Sequence, residues 1–154
     1  MMMAPPNRRH QRIAFNLVSL LDAALKRHDA MLAVYHDIGV NITSTVPYDP
    51  EPDVAVIRED ENPDPRYADR FYLVAEILSD SDKDIIDSKR DIYRAHPSCN
   101  CILLVRQDRM EITVDRRNAE GWSSRVLRGD DELTLPEFGL TCTVGDIYRN
   151  APFG

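Results

Sequence analysis

The stretch Phe71-Tyr-Leu-Val-Ala-Glu-Ile-Leu78 is apolar at almost every position and is interrupted by a single acid, Glu76. A run of this composition predicts a β-strand that is covered on both faces, because a half-exposed strand would alternate apolar and polar residues. An unpaired carboxylate inside such a strand is costly, on the order of several kcal/mol. Glu76 therefore needs a cationic partner, a proton or a metal ion.

A second acid and a lysine stand where they could meet Glu76. Asp53 opens the next strand candidate, Pro52-Asp-Val-Ala-Val-Ile57, and Lys89 follows on a predicted helix. Two carboxylates at strand ends with a nearby lysine are the minimal equipment of a metal-dependent phosphodiester hydrolase. Spacing alone favours a different interpretation, a structural Glu76–Lys89 ion pair with Asp53 accepting backbone hydrogen bonds at its strand start.

Magnesium is the metal that such a site would suit. It takes hard oxygen ligands, and one or two carboxylates suffice when water and phosphate oxygens complete the octahedron. On the catalytic interpretation Asp53 and Glu76 are metal ligands, and the backbone carbonyl of Ile77 adds a third. Lys89 would then lie near the attacking water or the scissile phosphate, where its charge stabilises developing negative charge.

Length and charge set limits on the function. A chain of 154 residues fits one domain, which we place at residues 1–154. The net charge of −7 counts mildly against a DNA-binding protein, although only the local charge meets the phosphates. We expect no secretory leader and no membrane span, and hence a cytoplasmic protein. Its three cysteines lack zinc spacing and are predicted to be buried and structural.

The remaining pattern predicts an α/β (α+β mixed) fold, a mixed sheet flanked by helices. Apolar periodicity predicts a helix over Arg9–Arg27, and a second helix follows the capping residues Ser79–Asp84 and ends near Ala95. Its inward residues are predicted to be Ile85, Ile86, Ile92 and Tyr93. The other predicted elements, in chain order, are a strand or hairpin at Met31–Tyr35 and Ile38–Ile42, a turn at Pro47–Pro52, a solvated loop at Glu59–Arg70, strands at Cys101–Val105, Met110–Arg116 and Trp122–Leu127, a short segment at Leu133–Leu140 and a helical turn at Val144–Tyr148.

Several motifs, in order, resemble one known family. They are Pro52-Asp53, Glu76-Ile-Leu-Ser79, Lys89 with Tyr93, His96-Pro-Ser98, Ile102-Leu-Leu-Val105, Leu133-Thr-Leu-Pro136, Gly139 and Asp146-Ile-Tyr148. This order and spacing resembles the Uma-type putative restriction endonuclease family, within the PD-(D/E)XK nuclease superfamily. The resemblance runs from about His10 to Tyr148.

The resemblance implies a restriction-endonuclease-like central sheet and a Mg²⁺- or Mn²⁺-dependent DNA endonuclease. Asp53 and Glu76 match the two acids of the family motif. The usual superfamily lysine would stand at Leu78, so its role passes to Lys89 on the helix. Cutting both strands of DNA needs two sites, which implies a homodimer. The family also has a strand before the first helix, and we expect this chain to lack it.

Three further residues are weaker candidates for substrate binding. His10 matches a histidine of the family, although a solvated histidine is the simpler interpretation. Arg90 and Arg94 flank Lys89 and could hold phosphates, with surface solvation as the simpler interpretation. Two other functions stay open: a catalytically inactive scaffold or interaction protein that keeps the nuclease fold, and a nuclease that acts on RNA or structured DNA. Sequence preference is not readable from the chain.

Overall fold

The structure is a computed structural model that describes residues 7–42, 50–79 and 82–152. The predicted turn at 47–52 lies partly outside these residues, as do positions 80 and 81 of the predicted capping segment. The helices are α1 (Arg8–His28), α2 (Lys83–Ala95) and α3 (Val144–Ile147). The strands are β1 (Leu32–His36), β2 (Gly39–Val40), β3 (Val54–Arg58), β4 (Tyr67–Ala68), β5 (Leu73–Leu78), β6 (Cys101–Arg106), β7 (Glu111–Asn118), β8 (Gly121–Arg128), β9 (Glu132–Leu135) and β10 (Leu140–Thr143).

A mixed six-stranded sheet forms the centre of the fold. Its strand order is β1-β3-β5-β6-β7-β8, with β5 and β6 parallel and the other neighbours antiparallel. The parallel pair is joined by α2, because parallel strands need a crossover connection. All six residues of β5 are buried, which confirms that this strand is covered on both faces.

The two long helices belong to different layers of the core. Alternate residues of β5, including Ala75 and Ile77, pack in the cluster that contains the apolar stripe of α1. The residues between them, including Val74, pack in a second cluster with Tyr93 of α2. Because side chains alternate along a strand, Glu76 points to the α2 side of the sheet.

Helix α1 agrees with the prediction from the sequence. Asn7 caps it by accepting a hydrogen bond from the backbone N–H of His10 at 2.8 Å. Its buried residues are Ile13, Leu17, Leu21, Ala24 and Leu25, which form the expected stripe. This packing fixes the first turns of α1 beside the beginning of β3.

Helix α2 was predicted correctly in extent but not in every inward residue. Tyr93 is fully buried, whereas Ile85 is exposed, so the prediction that Ile85 faces inward is wrong. The inward stripe of α2 runs through Ile86, Lys89 and Tyr93 at steps of three and four residues. Ile85 lies eight residues before Tyr93 and falls beside this stripe.

Of the two interpretations of the segment after α1, a strand is confirmed by β1, whereas the hairpin is wrong. Strand β1 pairs with β3, while β2 pairs in parallel with β4, which lies inside the stretch predicted as a solvated loop. Ala68 of β4 is buried. The strands predicted at Met110–Arg116 and Trp122–Leu127 are confirmed as β7 and β8, which pair antiparallel. The three cysteines are free and buried as predicted. No helix in the described ranges is long and apolar enough to cross a membrane.

Candidate active site

The pairing of β3 with β5 brings the two predicted acids together. The antiparallel register places Val54 opposite Ala75, so Asp53 comes next to Glu76. The backbone N–H of Asp53 donates to Glu76 Oε1 at 3.2 Å, and the backbone N–H of Ile77 donates to Asp53 Oδ2 at 2.7 Å. Each carboxylate is thus held by the backbone of the other strand, and both lie where β3 begins.

Helix α2 supplies the third predicted residue, Lys89. Its Nζ lies 3.2 Å from Glu76 Oε2, which also accepts a hydrogen bond from the Tyr93 hydroxyl at 3.3 Å. The Glu76 side chain is 5% exposed and the Lys89 side chain is 30% exposed. The carboxylate is therefore buried, whereas its lysine partner is partly accessible to solvent. The structure brings Asp53, Glu76 and Lys89 together, and their catalytic roles stay a prediction.

The electrostatics of Glu76 follow from this arrangement. Burial raises its pKa, the neighbouring charge of Asp53 raises it further, and Lys89 lowers it. The net result is a pKa above the ordinary value of 4.5. One ammonium group does not compensate for both burial and a second carboxylate, so additional positive charge at this position would be favourable.

His10 reaches the same site from α1. Its Nε2 lies 3.4 Å from Asp53 Oδ1. The hydrogen bond to Asp53 raises the pKa of His10, burial lowers it, and the net shift is upward from 6.5. The side chain of His10 therefore lies in the site, as the family resemblance implied, rather than projecting freely into water.

Gln107 is a residue of the site that was not predicted from the sequence. This residue is 7% exposed and follows β6, where its Nε2 donates to the backbone carbonyl of Ile77 at 3.5 Å. Its backbone N–H donates to the carbonyl of Leu78 at 2.9 Å. The signal in the sequence was the position of Gln107, a polar residue directly after a buried strand. The carboxyl ends of parallel strands lie at the same edge of a sheet, so such a residue can lie near the end of the strand that contains Glu76.

These side chains lie in an open groove of about 800 Å³ between α1 and α2. We call it the α1–α2 groove; its floor contains Asp53 and Glu76, and its walls include His10, Phe15, Ile85 and Lys89. Its volume falls within the range of roughly 300–1,000 Å³ that is usual for ligand sites. The groove therefore gives a substrate access to both carboxylates.

The donor atoms of the site match the requirements of Mg²⁺. Two carboxylates and the carbonyl of Ile77 offer hard oxygen ligands, and the open groove leaves positions for water and substrate oxygens. Among the described residues there is no cluster of three or more His, Cys, Asp or Glu side chains placed to hold a metal ion. A metal here would therefore depend on the carbonyl, water and substrate to complete its shell.

Arg90 and Arg94 do not line the groove. Arg90 Nε lies 2.5 Å from Asp115 Oδ2, and Arg94 Nη2 lies 2.9 Å from the same oxygen. Asp115 is fully buried, and Arg90 Nη2 also donates to Ser124. Both guanidinium groups thus hold a structural carboxylate of β7, and the structure does not bring these two candidates to the site.

Comparisons of the fold and of the sequence with known proteins identify the family. The chain is similar to a crystal structure of a protein described as a putative nuclease belonging to DUF820 from Anabaena variabilis ATCC 29413, with a TM-score of 0.76 and 16% sequence identity. The match covers 96% of this chain and 84% of that chain, and it shows that the two proteins share a fold. The model of the Uma2 putative restriction endonuclease family matches residues 1–145, so the chain belongs to this family. No curated protein matches the chain.

Proposed function

We propose that this protein is a metal-dependent DNA endonuclease that hydrolyses phosphodiester bonds. The observation that carries the proposal is the meeting of Asp53, Glu76 and Lys89 in an open groove, with Glu76 buried beside a second carboxylate. Family membership and the nuclease-like fold support the same reaction class. Perturbed carboxylates in a cleft are typical of catalytic sites, and the nuclease interpretation gives a use to each of the three residues.

The residues have distinct roles in this proposal. Asp53, Glu76 and the carbonyl of Ile77 would hold Mg²⁺ or Mn²⁺, which lowers the pKa of bound water and stabilises charge on the phosphate. Lys89 places a positive charge beside the scissile phosphate and the attacking water. The hydrogen bond from Tyr93 and the backbone N–H of Asp53 orient Glu76, and His10 orients Asp53 from the opposite wall.

The proposal extends to assembly. A protein with one site of this kind per chain would cut both strands of DNA as a homodimer. Multi-angle light scattering of the purified protein, alone and with DNA, would measure the mass directly. A dimer on DNA is the expected result, and a monomer that linearises plasmid in one binding event would remove this part of the proposal.

A catalytically inactive scaffold is the second candidate. The observation in its favour is that Glu76 already has a cationic partner within the protein, Lys89, whose Nζ lies 3.2 Å from Glu76 Oε2. The net charge of −7 points the same way, because non-specific nucleic-acid binding usually goes with a basic domain. On this interpretation the groove would bind a protein or small ligand, and metal would change neither stability nor activity.

Cleavage of supercoiled plasmid tests the proposal. With Mg²⁺ or Mn²⁺ the wild type should produce nicked and linear DNA, and with EDTA it should produce neither. Asp53→Asn, Glu76→Gln and Lys89→Met should each lose activity by about 100-fold or more. The matched control is Asp87→Asn, an exposed acid on α2, which should cleave like the wild type.

Two results would contradict the proposal. One is full activity in Glu76→Gln, which would place the chemistry elsewhere or in a contaminant. The other is no cleavage of DNA with either metal by a folded wild type. An RNA of the same sequence, tested in parallel, separates the DNA from the RNA nuclease.

A further inference from the structure

The rim of the α1–α2 groove carries an unusual pair of side chains. Phe15 of α1 is 62% exposed and Ile85 of α2 is 50% exposed, whereas the other exposed large hydrophobics in the described ranges are 38–41% exposed. The two side chains lie on different helices, and both line the same groove. Exposed apolar side chains around a polar site are typical of surfaces that contact a partner or ligand.

A basic strip continues from Phe15 along α1. Arg8 and Arg12 are exposed and lie one helical turn apart, and the next residue on this face is Phe15. The three side chains also line a second, smaller depression next to the groove, which we call the Arg8–Arg12 depression. Because Phe15 lines both surfaces, it stands at the boundary between them.

The charge of this strip contrasts with that of the whole chain. The first turn of α1 contains no acid, although the protein carries a net charge of −7. Within the described ranges no carboxylate forms an ion pair with Arg8 or Arg12. The guanidinium carbon of Arg12 lies 5.7 Å from the centre of the Phe15 ring instead. An aromatic ring with a guanidinium group beside it is typical of platforms that bind bases and phosphates.

We propose that this surface binds an unpaired stretch of DNA next to the scissile phosphate. Phe15 and Ile85 contact the unstacked base, while Arg8 and Arg12 hold the phosphates of the strand that leads to it. The inference rests on the proposed nuclease function and names its substrate class: single-stranded or locally unpaired DNA.

The chemistry of the surface selects an unpaired base over an intact duplex. In a duplex the bases are stacked on each other, and their faces cannot reach Phe15 unless the helix is opened. Stacking on an aromatic side chain works for every base, because each has a π-face. Planar guanidinium groups suit the phosphates, since they can donate two hydrogen bonds at once.

Fluorescence anisotropy in EDTA tests binding without cleavage. The probes are a labelled single strand of about 16 nucleotides, the upper range of known single-strand site sizes, and a blunt duplex of the same length. We expect the wild type to bind the single strand more tightly. Phe15→Ala should weaken that binding by about 5-fold or more, which corresponds to the loss of one stacked base. Phe15→Leu, which keeps an apolar side chain, should lose nearly as much.

The arginines are tested through salt dependence. The Arg8→Ser/Arg12→Ser double variant should lower the slope of log affinity against log salt by about 1.4, because each phosphate contact to a single strand contributes about 0.7. The matched control is Lys26→Ser/Arg27→Ser, which removes the same charge from the other end of α1. This control should keep the wild-type slope.

Several results would overturn the inference. They are tighter binding to the duplex, wild-type affinity in Phe15→Ala, or an equal change of slope in the two double variants. A shift from dimer to monomer in Phe15→Ala, without DNA, would identify the rim as an interface between two copies. Cleavage of duplex DNA at the same rate by the wild type and Phe15→Ala would overturn the inference but would agree with the proposed nuclease function. Phe15-dependent binding of the single strand without any cleavage would support the binding surface and contradict the nuclease function.

Discussion

Helix α2 contributes basic side chains to two ion-paired carboxylates, and the pKa values of these two acids differ in the direction of their shift. Lys89 reaches Glu76 in the groove, and the next residue, Arg90, reaches Asp115 on β7 together with Arg94. Both acids are buried, and burial raises the pKa of each. The net pKa of Glu76 is nevertheless raised, while that of Asp115 is lowered.

The difference comes from the partners rather than from burial. Asp115 receives hydrogen bonds from two guanidinium groups, and together with Ser124 these outweigh the effect of burial on its pKa. Glu76 has one ammonium group and a second carboxylate, Asp53, as a neighbour. A compensated buried acid holds the fold together, whereas an under-compensated one in an open groove has affinity for a further cation.

The largest effect that this comparison predicts is on stability at Asp115. Asp115→Ala should lower the free energy of unfolding by about 3–5 kcal/mol, because it leaves two guanidinium groups without their shared partner. Urea denaturation would measure the change. Asp87→Ala, at an exposed acid of the same helix, should stay within about 0.5 kcal/mol of the wild type. Equal losses in the two variants would mean that the Asp115 site is not structural.

Lys89→Met should lower the rate of DNA cleavage by about 100-fold, since it removes a positive charge next to the reacting phosphate. It should cost less stability than Asp115→Ala, because Glu76, whose pKa is already raised, can take up a proton. The neighbouring Arg90→Met is the control: it should lower stability and leave cleavage per folded molecule unchanged. Loss of cleavage in Arg90→Met, with normal cleavage in Lys89→Met, would contradict the assignment of Lys89 to catalysis and Arg90 to stability.

The two acids should also give stability opposite dependences on pH in EDTA. Because the pKa of Glu76 is raised, the folded state keeps a proton that the unfolded chain has lost, and its contribution to stability falls as pH rises above 4.5. The pKa of Asp115 is lowered, so its contribution is present above 3.8 and is lost as pH falls through the folded value. Denaturation of wild type, Glu76→Gln and Asp115→Asn across this range would measure both. If the contributions of Glu76 and Asp115 to stability changed in the same direction with pH, the proposed difference between the two acids would be wrong.

The smallest expected effect concerns Gln107, which holds the carbonyl of Ile77. Gln107→Ala should weaken Mg²⁺ binding by about 10-fold, the lower range for a residue that orients a metal ligand. Titration of Mg²⁺ against cleavage rate gives the value. An unchanged Mg²⁺ dependence would remove the Ile77 carbonyl from the ligand set.

The parts of the site that could be predicted are those with a local signal. Glu76 stands out because it interrupts an apolar strand, and Asp53 because it opens another. Lys89 lies on the helix predicted after the Glu76 strand, close enough in sequence to fold back against Glu76. Each residue lies on an element whose existence and extent are readable from periodicity, and the sheet then brings the elements together.

The parts that could not be predicted depend on distant partners. Asp115 reads as one polar position in an alternating strand, and nothing near it in sequence indicates Arg90 or Arg94. The β2–β4 pairing joins two very short strands, which periodicity does not detect. Ile85 looks inward by composition, and only the final orientation of α2 leaves it at the groove rim.

Thermal melts of the wild type and Glu76→Gln, each with and without Mg²⁺, test the central claim most directly. Without metal the variant should melt at or above the wild-type temperature, since it removes an under-compensated buried charge. Mg²⁺ at about 100 times its Kd should stabilise the wild type by about 2.7 kcal/mol, a shift of roughly 5–10 °C, and should not shift the variant. A wild type that does not respond to Mg²⁺, together with a large loss of stability in Glu76→Gln, would contradict the account and leave Glu76–Lys89 as a structural ion pair.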